Sequence, residues 1–252
     1  GAAYSFLFIR VLSGKDIMSG QSHESALRRN IQTRLVEARA RTDELFSYLH
    51  ADGLYDRPVP ERHRNIFYLG HFEAFDYNLV YRSACEREPF DASFDRMFAL
   101  GIDPVDGKLP TDQPADWPTV DEIRKYNRKV RESVDVCLQE SPLLDRDRPA
   151  LRNGYIFHVV IEHRLMHAET LCYLLHNFEA EHKLGPQAVS SADAASPTHQ
   201  WVDIPAGPAT LGRSKGSGFG WDNEFGEWTV DVPAFRASKY KVTNGDYLAY
   251  AN

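Results

Sequence analysis

No apolar run in this 252-residue chain approaches the length a membrane-spanning helix requires. The nearest, Tyr4 to Leu12, is short and broken by Arg10. It also lacks the preceding basic residues and the following small-residue cleavage site of a secretory leader. An excess of positive charge is missing too. The 29 Lys and Arg stand against 36 Asp and Glu, a net charge of −7. That balance argues against a general binder of nucleic acid or of an anionic membrane. Cysteine is scarce: Cys85, Cys137 and Cys172 have no short spacing. Cys137 and Cys172 fall on core-like helical positions, so the thiols read as buried and free, in a reducing, cytoplasmic compartment.

What remains is ordinary for a soluble globular protein, 42% hydrophobic and 26% charged. The length suits one large domain or two ordinary ones. Met18, followed by a polar, helix-starting segment, looks like a natural start, so residues 1–17 read as extra sequence upstream of it.

The most informative stretch is Tyr155 to Phe178, YIFHVVIEHRLMHAETLCYLLHNF. Ile156, Val160, His163, His167, Thr170 and Leu174 recur at steps of three and four, which puts them on one face of a long helix. Two imidazoles one turn apart on an apolar stripe must be hydrogen-bonded or hold a metal. The pair is not the zinc-protease HExxH motif, because the position after the first histidine is Arg164 rather than the Glu that serves as base.

Three more long helices are legible. The first spans Ser25 to His50, with Ile31, Leu35, Ala38, Thr42, Leu45 and Leu49 as its seam. Arg28, Arg29, Arg34, Glu37, Arg39 and Glu44 read as its solvated face. The second spans Glu61 to Cys85, where Phe67, His71, Phe75 and Leu79 form a row and His71 points where aromatics point. Gly70, costly inside a helix, implies a close neighbour or room for a ligand. The third opens on the capping box Thr119 to Glu122 and ends at Ser141-Pro142. Between them, Glu88 to Trp117 reads as a long crossover covering one end, with a short helix around Phe94–Leu100. Four long helices with one long crossover predict a four-helix bundle.

After Lys183 to His199, small and polar like a linker, the composition changes. Short apolar runs from Trp201, Thr210, Trp228 and Phe235, set between Gly and Pro, predict strands. The expected organisation is an extension over 1–24, a helical metal-binding domain over 25–182, a linker over 183–199 and the first part of a second domain over 200–252.

Taken together, three anchors resemble the non-haem iron sulfoxide synthases of ergothioneine and ovothiol biosynthesis. They are Leu69-Gly70-His71; His163 to Glu169, which fits an HxxxHxE pattern; and Phe219 to Glu224 followed by Pro233-Ala234-Phe235 and Tyr240 to Tyr247. The resemblance implies an α + (α+β) fold: a DinB-like four-helix bundle, then the beginning of a formylglycine-generating-enzyme-like (C-type-lectin-like) domain. It implies His71, His163 and His167 as metal ligands, with Glu169 at most in support behind them. Three imidazoles alone suit Fe(II), Zn(II) or Cu; the family implies Fe(II), with O2 as co-substrate. The implied reaction joins sulfur to the imidazole ring of hercynine or histidine, with a thiol as donor, or a selenosugar in the selenoneine branch. Nucleic acid and membrane are not among the implied partners. A DinB-like metal-dependent thiol transferase, or a non-catalytic metal-binding fragment, are the competing readings.

Two features depart from the ergothioneine type. Met166 stands where that type often carries a substrate-contacting Gln, and GWDNEFG is closer to the ovothiol branch. In the family the catalytic tyrosine and much of the substrate pocket lie further along the second domain than residue 252. The expectation is therefore that the natural protein continues beyond Asn252.

Overall fold

The computed structural model describes residues 14–99, 110–184 and 197–252. They form two compact units, dividing between Pro186 and Gln187. The expectation for residues 1–17 falls mostly outside the described residues, as does the middle of the Glu88–Trp117 crossover.

The first unit is helical. Its long elements are α1 (Gly14–Ser47), α2 (Asn65–Asp76), α4 (Val120–Glu140) and α5 (Tyr155–His176), with the short α3 (Ala92–Met97) between α2 and α4. Helix α1 packs on α5, and α2 packs on α4 and α5. The seam foreseen for the first helix is the one buried: Ile31, Leu35, Ala38, Thr42, Leu45 and Leu49 face the core. They meet Ile66, Phe67, Tyr68 and Phe72 of α2, Ile123, Val130 and Val134 of α4, and Phe157, Val160 and Leu171 of α5. Each fully buried Val, Leu, Ile or Phe among them contributes about 1.5–3 kcal/mol of transfer free energy.

Several boundaries differ from expectation. Helix α1 is already helical from Gly14, the first described residue, well ahead of the expected Ser25, and no proline interrupts the segment between. Helix α2 starts at Asn65 and changes winding after Asp76, continuing as a π-helical segment over Tyr77–Ala84. Cys85 N–H bonds to Val80 O at 2.9 Å, the five-residue step of that winding. The capping box is as read: Thr119 N–H donates to Glu122 Oε2 at 2.9 Å and Glu122 N–H to Thr119 Oγ1 at 3.4 Å. Helix α5 starts abruptly after Gly154, whose φ of +69° suits a residue without Cβ.

Two surface assignments need correction. Arg39 is buried, not solvated, and its guanidinium reaches Asp135 of α4 at 2.8 Å. Cys172 is exposed rather than buried. Both lie near the edge of a stripe, where helical periodicity separates inside from outside least sharply. No helix among the described residues is long and apolar enough to cross a membrane.

The second unit holds β1 (Trp201–Ile204), β2 (Gly207–Leu211), β3 (Trp228–Val232), β4 (Phe235–Ser238) and α6 (Asn244–Ala251). Strand β1 pairs antiparallel with β4, and β2 with β3. Ile204 faces Phe235 and Gly207 faces Val232, so both pairs share one register. They form a single two-stranded ribbon, interrupted where Pro205 and Pro233 cannot donate to the ladder. Thr243 and Asp246 cap α6 with a capping box.

Candidate metal centre

His71 stands in the middle of α2, and His163 and His167 stand one turn apart on α5. Packing of α2 against α5 brings the three rings together. Ring centroids are 5.1 Å apart for His71 and His163, 5.0 Å for His71 and His167, and 4.5 Å for His163 and His167. One ligand nitrogen from each lies within 4.8 Å of the others, and all three residues are buried.

Aromatic side chains of α2 hold the rings in place. Phe67 stacks on His71 at 4.7 Å and Phe75 on His163 at 3.5 Å. Tyr68 and Phe72 flank His167 at 5.7 and 5.5 Å. The Phe67–His71–Phe75 row read from the sequence is thus the wall of the site. Gly70 explains its own presence: a Cβ there would lie 2.6 Å from the ring of Phe98, which follows α3. Phe98 closes over that gap, and its carbonyl receives a hydrogen bond from His71 Nδ1 at 2.7 Å. A carbonyl only accepts, so Nδ1 carries the proton and Nε2 keeps its lone pair for another partner.

His163 Nδ1 and His167 Nδ1 are buried without a hydrogen-bonding partner. Burial holds all three imidazoles below the usual range, most strongly His163, at about 2, with His167 and His71 adding to it. His167 is held down to about 4, again by burial first and then by His71. His71 is lowered by burial, opposed by the Phe98 carbonyl. The site therefore presents three neutral imidazoles in a pocket with little water. Neutral imidazole is the form that binds a metal, and imidazole suits Fe, Zn, Cu and Ni.

Glu169 is exposed, and so is Met166. Neither is among the residues the fold gathers around the histidines.

The residue overlooked from sequence is Arg164. It served there only to exclude HExxH, yet it is wholly buried. Its guanidinium pairs with Asp76 at 2.7 Å and Glu73 at 3.1 Å, both on α2. Glu73 is shared with Arg131 of α4 at 2.7 Å, and Arg131 also clasps Asp43 of α1 through two 2.7 Å contacts. One ionic network thus ties α1, α2, α4 and α5 beside the histidines. A signal was present: Val160, Arg164, Ala168 and Leu171 recur at helical spacing, placing a cation on an apolar stripe. A buried guanidinium requires partners, and the acids inside the apolar run of α2 are the candidates.

The fold and this cluster define the class. Residues 34–171 match the DinB superfamily, and the chain belongs to that superfamily. Two curated proteins are similar to it. One is ergothioneine biosynthesis protein 1 of Neurospora crassa, 30% identical over 80% of this chain and 25% of that protein. The other carries the same name in Schizosaccharomyces pombe, 26% identical over 81% of this chain and 30% of that protein. The resemblance to the ergothioneine and ovothiol family is borne out by these matches. The chain spans between a quarter and a third of the length of these relatives.

Proposed function

We propose that the chain carries the metal site of an O2-dependent non-haem Fe(II) enzyme. The enzyme forms a carbon–sulfur bond, or in the selenium branch a carbon–selenium bond, on the imidazole ring of hercynine or histidine. His71, His163 and His167 are the proposed ligands. The observation that carries the reading is the convergence of three buried, neutral imidazoles in a chain similar to two ergothioneine biosynthesis proteins.

Fe(II), when bound, supplies a redox-active cation with positions open to dioxygen and to a thiolate. The chain's own part is positional. Phe98 O fixes the tautomer of His71, Phe67 and Phe75 fix ring planes, and the stacked aromatics keep water out. Because the rings are already neutral, metal uptake near neutral pH displaces few protons from them.

In this reading residues 25–182 are a DinB-like four-helix bundle. Residues 200–252 open a formylglycine-generating-enzyme-like domain, joined to it through 183–199. The ribbon of β1 to β4 and the capped α6 support an α+β start to that second domain.

A metal-dependent thiol transfer without oxygen is the second reading. It is favoured by the superfamily match lying wholly in the helical unit. The two are separated by dissolved-oxygen measurements on the natural-length protein loaded with Fe(II), given hercynine or histidine and a thiol donor. Oxygen uptake coupled to a new carbon–sulfur product, read by mass spectrometry, is the expected result. Thiol transfer at full rate in anaerobic buffer would discard the oxygenase reading.

A further inference from the structure

Cys85 and Cys137 are 52 positions apart in the chain, yet both line one small cavity, and Ser141 touches both: its Oγ donates to Cys137 O at 2.6 Å. Cys85 directly follows the π-helical segment, and Cys137 lies in the last turn of α4. They share a small cavity of about 90 Å³ with Arg87, Glu140, Ser141 and Arg148. Ser141 Oγ lies 3.8 Å from Cys85 Sγ. The two sulfurs differ in access: Cys85 is half-buried and Cys137 buried. They differ in protonation as well. The Cys137 thiol, then Ser141 and the charges of Arg87 and Arg148, hold Cys85 down to about 6 against its burial. Cys137 is pushed up by Cys85 first and by burial next. The more accessible sulfur is thus the one favoured as thiolate, and the buried one beside it is favoured as thiol. The cavity is distinct from the histidine cluster, since Cys85 lies fourteen positions beyond His71 along the same helical rod, roughly 15–20 Å at helical rise.

We propose that Cys85 and Cys137 are an oxidisable dithiol, with a peroxide as oxidant and a Cys85–Cys137 disulfide as product. The Cys85 thiolate attacks one oxygen of the peroxide. For hydrogen peroxide the O–O bond breaks, hydroxide leaves, and Cys85 becomes a sulfenic acid. Sulfur of Cys137 then displaces the sulfenic oxygen, which leaves as water with the thiol proton. The two thiols lose two electrons and two protons, and the peroxide becomes two waters. The flanking guanidiniums favour the attacking thiolate and the departing hydroxide. The bond joins the end of the π-helical segment to the last turn of α4, elements that already pack together.

The test uses the unmodified chain treated with hydrogen peroxide, then alkylated and mapped without reduction. Free thiols should fall from three to one, with the mass lowered by two hydrogens and a peptide linking Cys85 to Cys137. Dithiothreitol should restore all three. Exposed Cys172 is the internal control. In Cys137→Ser protein, dimedone should trap a sulfenic acid at Cys85. Oxidation confined to Cys172, with Cys85 and Cys137 both still alkylated, overturns the proposal. So does a linkage that joins Cys172 to either of the others.

Discussion

Arg164 meets Asp76 at 2.7 Å across the interface between the two helices that carry the three histidines, and no part of Arg164 reaches solvent. Asp76 is also the last residue before α2 changes to π winding. The ion pair thus pins α5 to α2 at the end of its regular helix, within two turns of His71.

That pin should be expensive to break from one side. Arg164→Met leaves Asp76 and Glu73 buried with one guanidinium fewer, a loss of about 3–5 kcal/mol for an uncompensated buried charge. Arg164→Lys keeps the charge but reaches only one carboxylate well, and should fall between the two. Urea unfolding of the metal-free chain measures this. An Arg164→Met midpoint equal to that of the unchanged protein would remove the network from any account of stability.

Replacement of the histidines separates metal binding from folding. His71→Ala, His163→Ala and His167→Ala should each retain the helical circular dichroism and lose iron. Nδ1 of His163 and His167 makes no hydrogen bond that the fold would miss. Elemental analysis after anaerobic loading reads the outcome, with a single iron expected in the unchanged chain. Full iron in His163→Ala protein contradicts the assignment of ligands.

Gly70 offers a subtler test. In Gly70→Ala the new Cβ would sit 2.6 Å from the Phe98 ring, so Phe98 must retreat. Its carbonyl retreats with it and the hydrogen bond to His71 Nδ1 is lost. Loss of such a bond behind a ligand costs about 10–100-fold in metal affinity. A competing chelator titration should show that drop in Gly70→Ala while the helical signal holds. Unchanged affinity would mean that the Phe98 carbonyl does not orient the ligand.

The Cys85 thiol supplies a pH dependence. Held down to about 6, chiefly by the Cys137 thiol, it is thiolate above that pH and thiol below it. Iodoacetamide labelling of Cys85 should therefore climb between about pH 5 and 7 and level off, whereas a thiol near the ordinary value of about 8.5 would still be climbing. Cys137→Ala should move the midpoint upward. The measurement is made in Cys172→Ser protein, by mass spectrometry of quenched time points. A labelling rate that starts to rise only above about pH 8 would contradict the assignment of the negative charge to Cys85.

The sequence by itself determined the local and periodic features. The α1 seam, the start of α4 at Thr119, the histidine face of α5 and the strands between prolines follow from spacing, capping and missing donors, all set within a few residues. It also marked His71, His163 and His167, because imidazoles on apolar stripes stand out without any partner in view. Tertiary structure alone decided which distant groups meet. Nothing local says that Phe98 O completes His71, that Arg164 faces Glu73 and Asp76, or that Cys85 and Cys137 line one cavity. Those contacts depend on how α2, α4 and α5 are rotated and staggered against one another. Packing of the whole core sets that arrangement, and a shift of one residue along a helix turns each side chain by about 100°.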